Sequence, residues 1–544
     1  MLRALGSTAR GQRERDLGRV GLRGRVAFVR HRGGVSLYAV MPPLRKWLIL
    51  VHRYLGIPLS LLFVIWFASG VVMMYTGGMP QLTPEARLAR LPDLDLSRVR
   101  LTAAEAVEQA GLWAFPDSAV LLTVTDRPAW RFEWPFSNAT VFADTGEILA
   151  PLDADAARAV AGRFAGAPED RVRFVGEVTE RDQWTIQYGG GPPYFKFDVD
   201  DGAGTELYVS PQRAEVTMHT TRRTRALAWA GAIPHWFYVA ALRRNGPLWT
   251  DVVVWSATLG CVVAVLGLLL GFTQYRITYT GWMRWHYLTG AVFGLFTLTW
   301  VFSGLLSMEP YDWTRARGLA LPPDTFTGGP IELASYDAVA GGGLERLAAG
   351  RGMREIELRR ILDQPHYVVR LAPGQAAAGG REERLHQPYY VTGRANPDRL
   401  LVAAESMTVR DEPFAVDALL ARVKAAAPGA RVAETALLED YDDYYYSRAG
   451  RTPLPVLRIK LADPGETWLY VDPVLGRQLA SVHRLNRVER WLFNGLHSLD
   501  FAFWYDRRPL WDAGLIVLSA GGLASSGIGL WVGFRRVRRA LRKG

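Results

Sequence analysis

Four stretches of the chain, at roughly 47–75, 248–273, 285–308 and 510–534, each run beyond 20 residues with almost no charge. A helix rising about 1.5 Å per residue needs about 20 apolar residues to cross a hydrocarbon core of about 30 Å. The alternative for each is a buried core helix, which runs of this length with almost no charge do not suit. They therefore predict a membrane protein with four spans. The chain has 544 residues, of which 49% are apolar, which leaves room for large parts outside the bilayer.

The formal charge of +11 is read from where it falls. Arg45 and Lys46 precede the first span, Arg276 and Arg284 flank the short link between the second and third, and "RRVRRALRK" follows the fourth. Lys and Arg collect on the cytoplasmic side of short loops. The basic balance is thus accounted for by topology, and no nucleic acid is expected. The 19 tryptophans suit bilayer interfaces. The one cysteine, Cys261, lies in an apolar run, which excludes an intrachain disulfide, a CxxC zinc site, a thiolate iron–sulfur cluster and a CxxCH haem attachment.

The expected order follows. Residues 1–41 are a basic cytoplasmic tail, disordered or an extension upstream of a start at Met41. Span 1 covers 42–76, a first external region 77–225, and an interfacial segment 226–247. Span 2 covers 248–273, a cytoplasmic loop 274–284, and span 3 285–308. A second external region takes 309–487, an interfacial segment 488–509, span 4 510–534, and a cytoplasmic tail 535–544. Both termini are predicted inside and both large loops outside, in the periplasm of a diderm cell. The loops mix helical stretches ("LTAAEAVEQAGL", "AVDALLARVKAAA") with short alternating strands ("LLTVTD", "RFEWPF", "VLRIKLA", "WLYVD") and Asp/Gly turns. That pattern predicts small α+β modules, two in each loop.

The chain also repeats itself. From His52, Gly56 lies at +4, Trp66 at +14, Ser69 and Gly70 at +17 and +18, and Met74 at +22; from His286 the same offsets give Gly290, Trp300, Ser303, Gly304 and Met308. From His235, the offsets −13, −10, −6, +12, +14, +25, +32 and +36 give Arg222, Arg225, Trp229, Pro247, Trp249, Gly260, Gly267 and Gly271; from His497 they give Arg484, Arg487, Trp491, Pro509, Trp511, Gly522, Gly529 and Gly533. The fold class is therefore an α-helical membrane protein: four transmembrane helices in two repeats of parallel orientation, each enclosing an external α+β domain. Such repeats are related by a pseudo-two-fold axis along the membrane normal.

That axis brings equivalents face to face. His52 and His286 share a height near the cytoplasmic side, and His235 and His497 share one near the outer side. Two facing imidazoles at one depth are the axial set of a six-coordinate b-type haem. Two pairs imply two haem b groups and a wire across the bilayer. Gly56 and Gly290, one turn from their histidines, would leave room for a flat macrocycle. The Ser-Gly pairs and the row Gly260, Gly267, Gly271 read as helix packing. Trp66 and Trp300 fall at the outer pair's depth or in the interfacial belt. Arg222, Arg225, Arg484 and Arg487 stand just outside the outer histidines, either to meet haem propionates or an anionic ligand, or to snorkel to the interface.

Three segments, "KWLILVHRYLGIPLSLLFVIWFASG", "RWHYLTGAVFGLFTLTWVFSGLLSM" and "RWLFNGLHSLDFAFWYDRRPLWDAGLIVLSAGGLASSGIGLWVGFRR", resemble the PepSY-associated transmembrane family, in which ferric-siderophore reductases of the inner membrane are found. The soluble "LTAAEAVEQA", "FADTGEIL" and "TWLYVDPVLGRQLA" resemble its PepSY modules. "DYDDYYYSR" is similar to a family motif that usually reads on into histidine where this chain has Arg448. The resemblance covers nearly all of 42–540. It implies b haems on the membrane histidines and electron delivery to an external ferric siderophore. No GxGxxG follows a strand, so the electron donor is expected to be a quinol or a separate cytoplasmic reductant. Two other functions compete: a dihaem conduit to another periplasmic acceptor, and a non-redox membrane protein whose PepSY-like domains bind a periplasmic partner. Asp440 to Tyr446 reads as a solvated turn or as a face for the ferric ligand.

Overall fold

The computed structural model describes residues 42–542 apart from 189, 275–277, 310–317, 338, 340–342, 349, 373–397, 447–451 and 506. Arg276, Arg448 and most of the expected strand unit at 387–406 lie outside the described residues. Four helices are long and apolar enough to cross a membrane: Pro42–Thr76, Gly246–Thr273, Gly281–Leu306 and Leu510–Leu541. In their most apolar stretches only 11–22% of residues are buried within the protein, so the apolar surface faces outward, as it does in lipid. The third begins four residues earlier than its sequence pattern indicates, and the fourth continues seven residues beyond 534. Arg, Ala and Leu are strong helix formers and no Gly or Pro interrupts "RRVRRAL", so the last helix runs on past its apolar stretch.

Outside the spans each repeat has the same plan. In the first, Ala103–Gln109 opens with a Thr102/Glu105 capping box and leads to strands β1 (Ser118–Val124), β2 (Arg127–Trp134) and β3 (Ser137–Phe142). Helix Ala154–Ala165 is capped by the Asp153 side chain and ends on left-handed Gly166. It packs on a second sheet of β4 (Val172–Val178), β5 (Tyr194–Val199), β6 (Thr205–Ser210) and β7 (Glu215–Thr220). The second repeat supplies β8 (Met353–Ile361), β9 (Gln364–Leu371), β10 (Arg399–Ala403) and β11 (Thr408–Val409). Helix Val416–Ala426 follows, then β12 (Arg431–Leu438), β13 (Val456–Ala462), β14 (Trp468–Asp472) and β15 (Arg477–Val482). The bulge at Tyr208/Val209 recurs at Tyr470/Val471.

The two external regions are not the separate domains that the sequence order indicates. Strand β1 pairs antiparallel with β8, Ala119 opposite Leu358 and Leu122 opposite Glu355. One seven-stranded sheet results, ordered β11-β10-β9-β8-β1-β2-β3. Two-fold equivalents that meet at a sheet edge must run antiparallel, and joining them removes two exposed edges. One face of this sheet is apolar, with Trp130, Phe132, Ile356, Leu358, Tyr367 and Val369 almost fully buried. The other rests on the β6–β7 turn at Ala214 and the β14–β15 turn at Leu475. Between those two supports runs a strip of charge.

From β7 the chain enters helix Arg222–Ala230, boxed by Thr221 and Thr224, then the short helix Ala232–Trp236 that carries His235. From β15 it enters Arg484–Arg490, a π-turn at Trp491–Gly495 and the helical turn Leu496–Ser498 that carries His497.

Candidate functional site

The four histidines meet in two pairs, in the combinations that the repeat dictates. His52 of the first span faces His286 of the third, with ring centroids 6.4 Å apart and planes at 34°. Each ring is held by a backbone carbonyl of the neighbouring span. His52 Nδ1 lies 3.1 Å from the Val263 oxygen, and His286 Nδ1 lies 3.2 Å from the Ser525 oxygen. Val263 and Ser525 are repeat equivalents. A carbonyl accepts only, so Nδ1 carries the proton in both rings and Nε2 keeps the lone pair. Each imidazole edge lies over a glycine: a Cβ on Gly267 would stand 2.9 Å from His52 Cε1, and one on Gly529 would stand 3.1 Å from His286 Cε1.

His235 and His497 form the second pair, with centroids 6.1 Å apart and planes at 76°. The Ser-Gly motifs hold it. Ser69 Oγ gives its proton to the Ile65 carbonyl at 2.6 Å and so accepts from His235 Nδ1 at 3.1 Å. Ser303 donates to the Trp300 carbonyl at 3.0 Å and accepts from His497 Nδ1 at 3.0 Å, with the Trp300 oxygen 3.3 Å from the same nitrogen. Gly70 and Gly304 lie under the two rings, where a Cβ would be 3.4 and 3.7 Å from Cε1. Each histidine helix ends two residues later on a left-handed, non-glycine residue, Phe237 at φ 54° and Leu499 at φ 49°. That conformation costs about 1–3 kcal/mol at a bulky side chain, and its recurrence at equivalent positions fixes how each histidine is presented. Ser69 lies 17 residues beyond His52 on one helix, so the pairs are separated by about 25 Å of helix rise.

These residues fit a metal held by two opposed imidazoles. Two neutral imidazoles whose ring centroids stand 6.4 and 6.1 Å apart are close enough to hold one metal between them. The Nδ1 bonds fix tautomer and ring orientation, as they do for metal-ligating histidines. Among the described residues no group of three or more His, Cys, Asp or Glu is gathered at one point. The donor set therefore suits a group that brings its own equatorial ligands, as haem does. The indole nitrogens of Trp66 and Trp300, which pack with Phe63 and Phe67, are buried without a hydrogen-bond partner.

The glycines divide differently from the sequence reading. A Cβ on Gly56 would meet Val263, and one on Gly290 would meet Ser525, each at 3.8 Å. These two belong to helix packing. Gly70, Gly304 and Gly267, which read as packing, lie beneath imidazoles, as does Gly529, the equivalent of Gly267. The repeat offsets contain all of them; which glycine faces which histidine depends on how the spans pack, and the pattern carries no trace of that.

Two of the four arginines are engaged away from the histidines. Arg225 bonds to Thr220 Oγ1 and the Gly204 carbonyl and pairs with Glu206 at 3.4 Å. Arg487 bonds to Glu466 at 3.0 Å and stacks over Trp468. Both guanidiniums are bound into the sheets of their own repeats. Arg222 lies against Gly204, and the Arg484 backbone N–H bonds to the Gly465 carbonyl.

Nor is Asp440–Tyr446 a solvated turn. Asp442 accepts from Arg458 at 2.8 Å, from Tyr470 OH at 2.9 Å, and from the backbone of Tyr444 and Tyr445. Trp491 Nε1 donates to Tyr444 OH, and Asn494 donates to Tyr446 OH, both at 3.1 Å. The stretch fastens the outer sheet to the segment that carries His497. In the first repeat Asp182 accepts from Tyr208 OH at 2.6 Å, and Gln183 bonds to the Tyr238 carbonyl and the Ala240 N–H. Burial first, and then the adjacent aspartate, pushes both phenols well above the ordinary tyrosine range. Comparison with protein-family models and with curated proteins finds no match.

Proposed function

We propose that this chain is a transmembrane dihaem electron-transfer protein of the bacterial inner membrane that reduces ferric siderophores on the periplasmic side. One observation carries the reading: two repeat-matched histidine pairs, each with ring centroids 6.1–6.4 Å apart and each Nδ1 within 3.2 Å of an acceptor on a neighbouring helix. Haem b, when bound, supplies one-electron chemistry, and a ferric chelate that takes one electron becomes the more weakly held ferrous form. The chain's own residues supply the rest. Val263 and Ser525 on the inner side, and Ser69 and Ser303 on the outer, hold the Nδ1 protons and aim Nε2. Between the two levels Phe63, Phe67, Trp66 and Trp300 pack with Val301 and Ala257 and exclude water from the path. In this reading both termini are cytoplasmic, and the electron comes from a quinol or a cytoplasmic reductant.

The test is an optical spectrum of the purified chain, oxidised and dithionite-reduced, with pigment quantified against protein. Two low-spin haem b per chain are expected, and His286→Ala should halve the ratio. The reduced protein should be reoxidised without oxygen by a ferric siderophore, with ferrozine trapping Fe(II). Haem without that reoxidation would favour a conduit to another acceptor; a colourless protein would refute the redox reading and leave a partner-binding membrane protein.

A further inference from the structure

A cavity of about 470 Å³ lies at the N-terminal end of helix Gly246–Thr273, lined by Glu180, Arg181, Ile186, Arg243, Arg244 and Gly246. One wall is the β4–β5 loop; the other is the segment that leads from His235 into the helix. Gln183 ties the two walls together, donating to the Tyr238 carbonyl and accepting from the Ala240 N–H.

Three guanidiniums share this cavity with one carboxylate. Glu180 pairs with Arg244 at 3.4 Å, and Arg244 Nε donates to the Arg181 carbonyl at 2.8 Å. Among the described residues the Arg243 guanidinium has no ion pair and no hydrogen bond. Its Nε is buried, but Nη1 stands over cavity-lining Gly246, 3.9 Å from where a Cβ there would lie. The guanidinium is held in place over the rings of Trp249, at 4.5 Å, and Tyr238, at 5.3 Å, unlike the free head of a snorkelling arginine.

The second repeat shows what such an arginine takes as a partner. There Arg508 lies over Trp511, the equivalent of Trp249, at 4.6 Å and pairs with Asp512 at 3.5 Å. The first repeat has Thr250 at the position of Asp512, and the first turn of helix Gly246–Thr273 contains no acid. One stacked arginine thus has a carboxylate from its own chain, and the other is left with its charge uncompensated.

We propose that this cavity binds the phosphate of an anionic phospholipid headgroup, anchored by the Arg243 Nη groups, with Arg181 and Arg244 adding charge from the same cavity. A guanidinium fork suits phosphate oxygens, and the N-terminal end of a long helix favours an anion. The helix argues for a lipid over a free phosphate, because its Leu248, Trp255, Leu259 and Val262 form an exposed apolar stripe along which acyl chains would lie. The proposal rests on the helix being a membrane span and is independent of the haem reading.

The test uses the full-length protein in detergent, with phosphatidylglycerol as the probe, phosphatidylcholine and inorganic phosphate as comparators, and native mass spectrometry to count bound lipid. Phosphatidylglycerol should bind more tightly than phosphatidylcholine, and Arg243→Gln should weaken it by about tenfold or more. Arg243→Lys keeps the charge and guards against a folding defect; it should recover only part of the binding, having lost the fork. Arg508→Gln should leave lipid binding unchanged, since that arginine already has Asp512. Equal phosphatidylglycerol affinity in wild type and Arg243→Gln would overturn the assignment, as would an equal loss in Arg508→Gln. Displacement of the lipid by inorganic phosphate at matched concentration would assign the cavity to a free anion and overturn the lipid as its occupant.

Discussion

Gly267 and Gly271 lie one helical turn apart on the second span, and alanine at each should give opposite results. At Gly267 the new Cβ would stand 2.9 Å from His52 Cε1, whereas at Gly271 nothing lies within 4 Å. The His52 ring cannot retreat freely, because its Nδ1 is bonded to the Val263 carbonyl at 3.1 Å. It either strains against the methyl, at about 1–3 kcal/mol for an overpacked site, or gives up a hydrogen bond, at about 0.5–1.5 kcal/mol. At about 1.4 kcal/mol per factor of ten, and if the pair holds haem as proposed, Gly267→Ala should weaken haem binding at the inner site by about twofold to a hundredfold. Gly271→Ala should leave binding intact and gain helix stability of about 0.5–1 kcal/mol. Haem titration of the apoprotein, read by the Soret band and by pigment-to-protein ratio, separates the two, and the outer site serves as an internal standard for folding. Full inner-site affinity in Gly267→Ala, or equal losses in both variants, would refute the placement of His52 over Gly267.

Ser303→Ala removes one Nδ1 acceptor of His497 and leaves the Trp300 carbonyl, so a haem held as proposed by the outer pair should stay bound while its midpoint potential shifts, as spectroelectrochemistry would show. Tyr470→Phe takes a buried donor from Asp442 and should cost about 1–3 kcal/mol, seen as a lower melting temperature, with outer-site occupancy falling before inner. Burial alone would raise the Glu215 carboxyl, but Arg131, Arg87 and Arg213 hold it far below the ordinary carboxylate range. Its contribution is thus fully present above the unfolded pKa of about 4.3 and is lost as pH falls below that value. The melting temperature of Glu215→Gln should accordingly lie furthest below wild type at neutral pH and converge with it in acid. Alkaline phosphatase fused after residue 150 should be active if that loop is periplasmic, and silence there would reverse the topology.

The spans, their number and the histidine pairing were legible because a repeat is a relation within the sequence itself. Equal offsets from His52 and His286, and from His235 and His497, need only the two-fold axis to become contacts. What was not legible depends on backbone or on packing across repeats. The β1–β8 junction is made by main-chain hydrogen bonds, and no side-chain pattern announces it. Arg225 and Arg487 sit at the right offsets from the histidines, yet each lies on a short capped helix and its side chain reaches the adjoining sheet. Asp442 reads as one more polar residue in a tyrosine-rich run until Tyr470 and Arg458 arrive from other strands. The left-handed residues after the histidines are Phe and Leu, and nothing in those residue types signals a positive φ.

Where the repeats agree and where they part is itself informative. The offset of 262 that carries His235 onto His497 also carries Val263 onto Ser525, Tyr208 onto Tyr470 and Phe237 onto Leu499. Val263 and Ser525 hold an imidazole, Phe237 and Leu499 end the turns that present one, and Tyr208 and Tyr470 bond to Asp182 and Asp442. The same offset carries Glu215 onto Arg477, exchanging a carboxylate that gathers three guanidiniums for a cation beside Asp472. A group bound on a two-fold axis by two equivalent ligands requires both halves to match, and at the histidines they do.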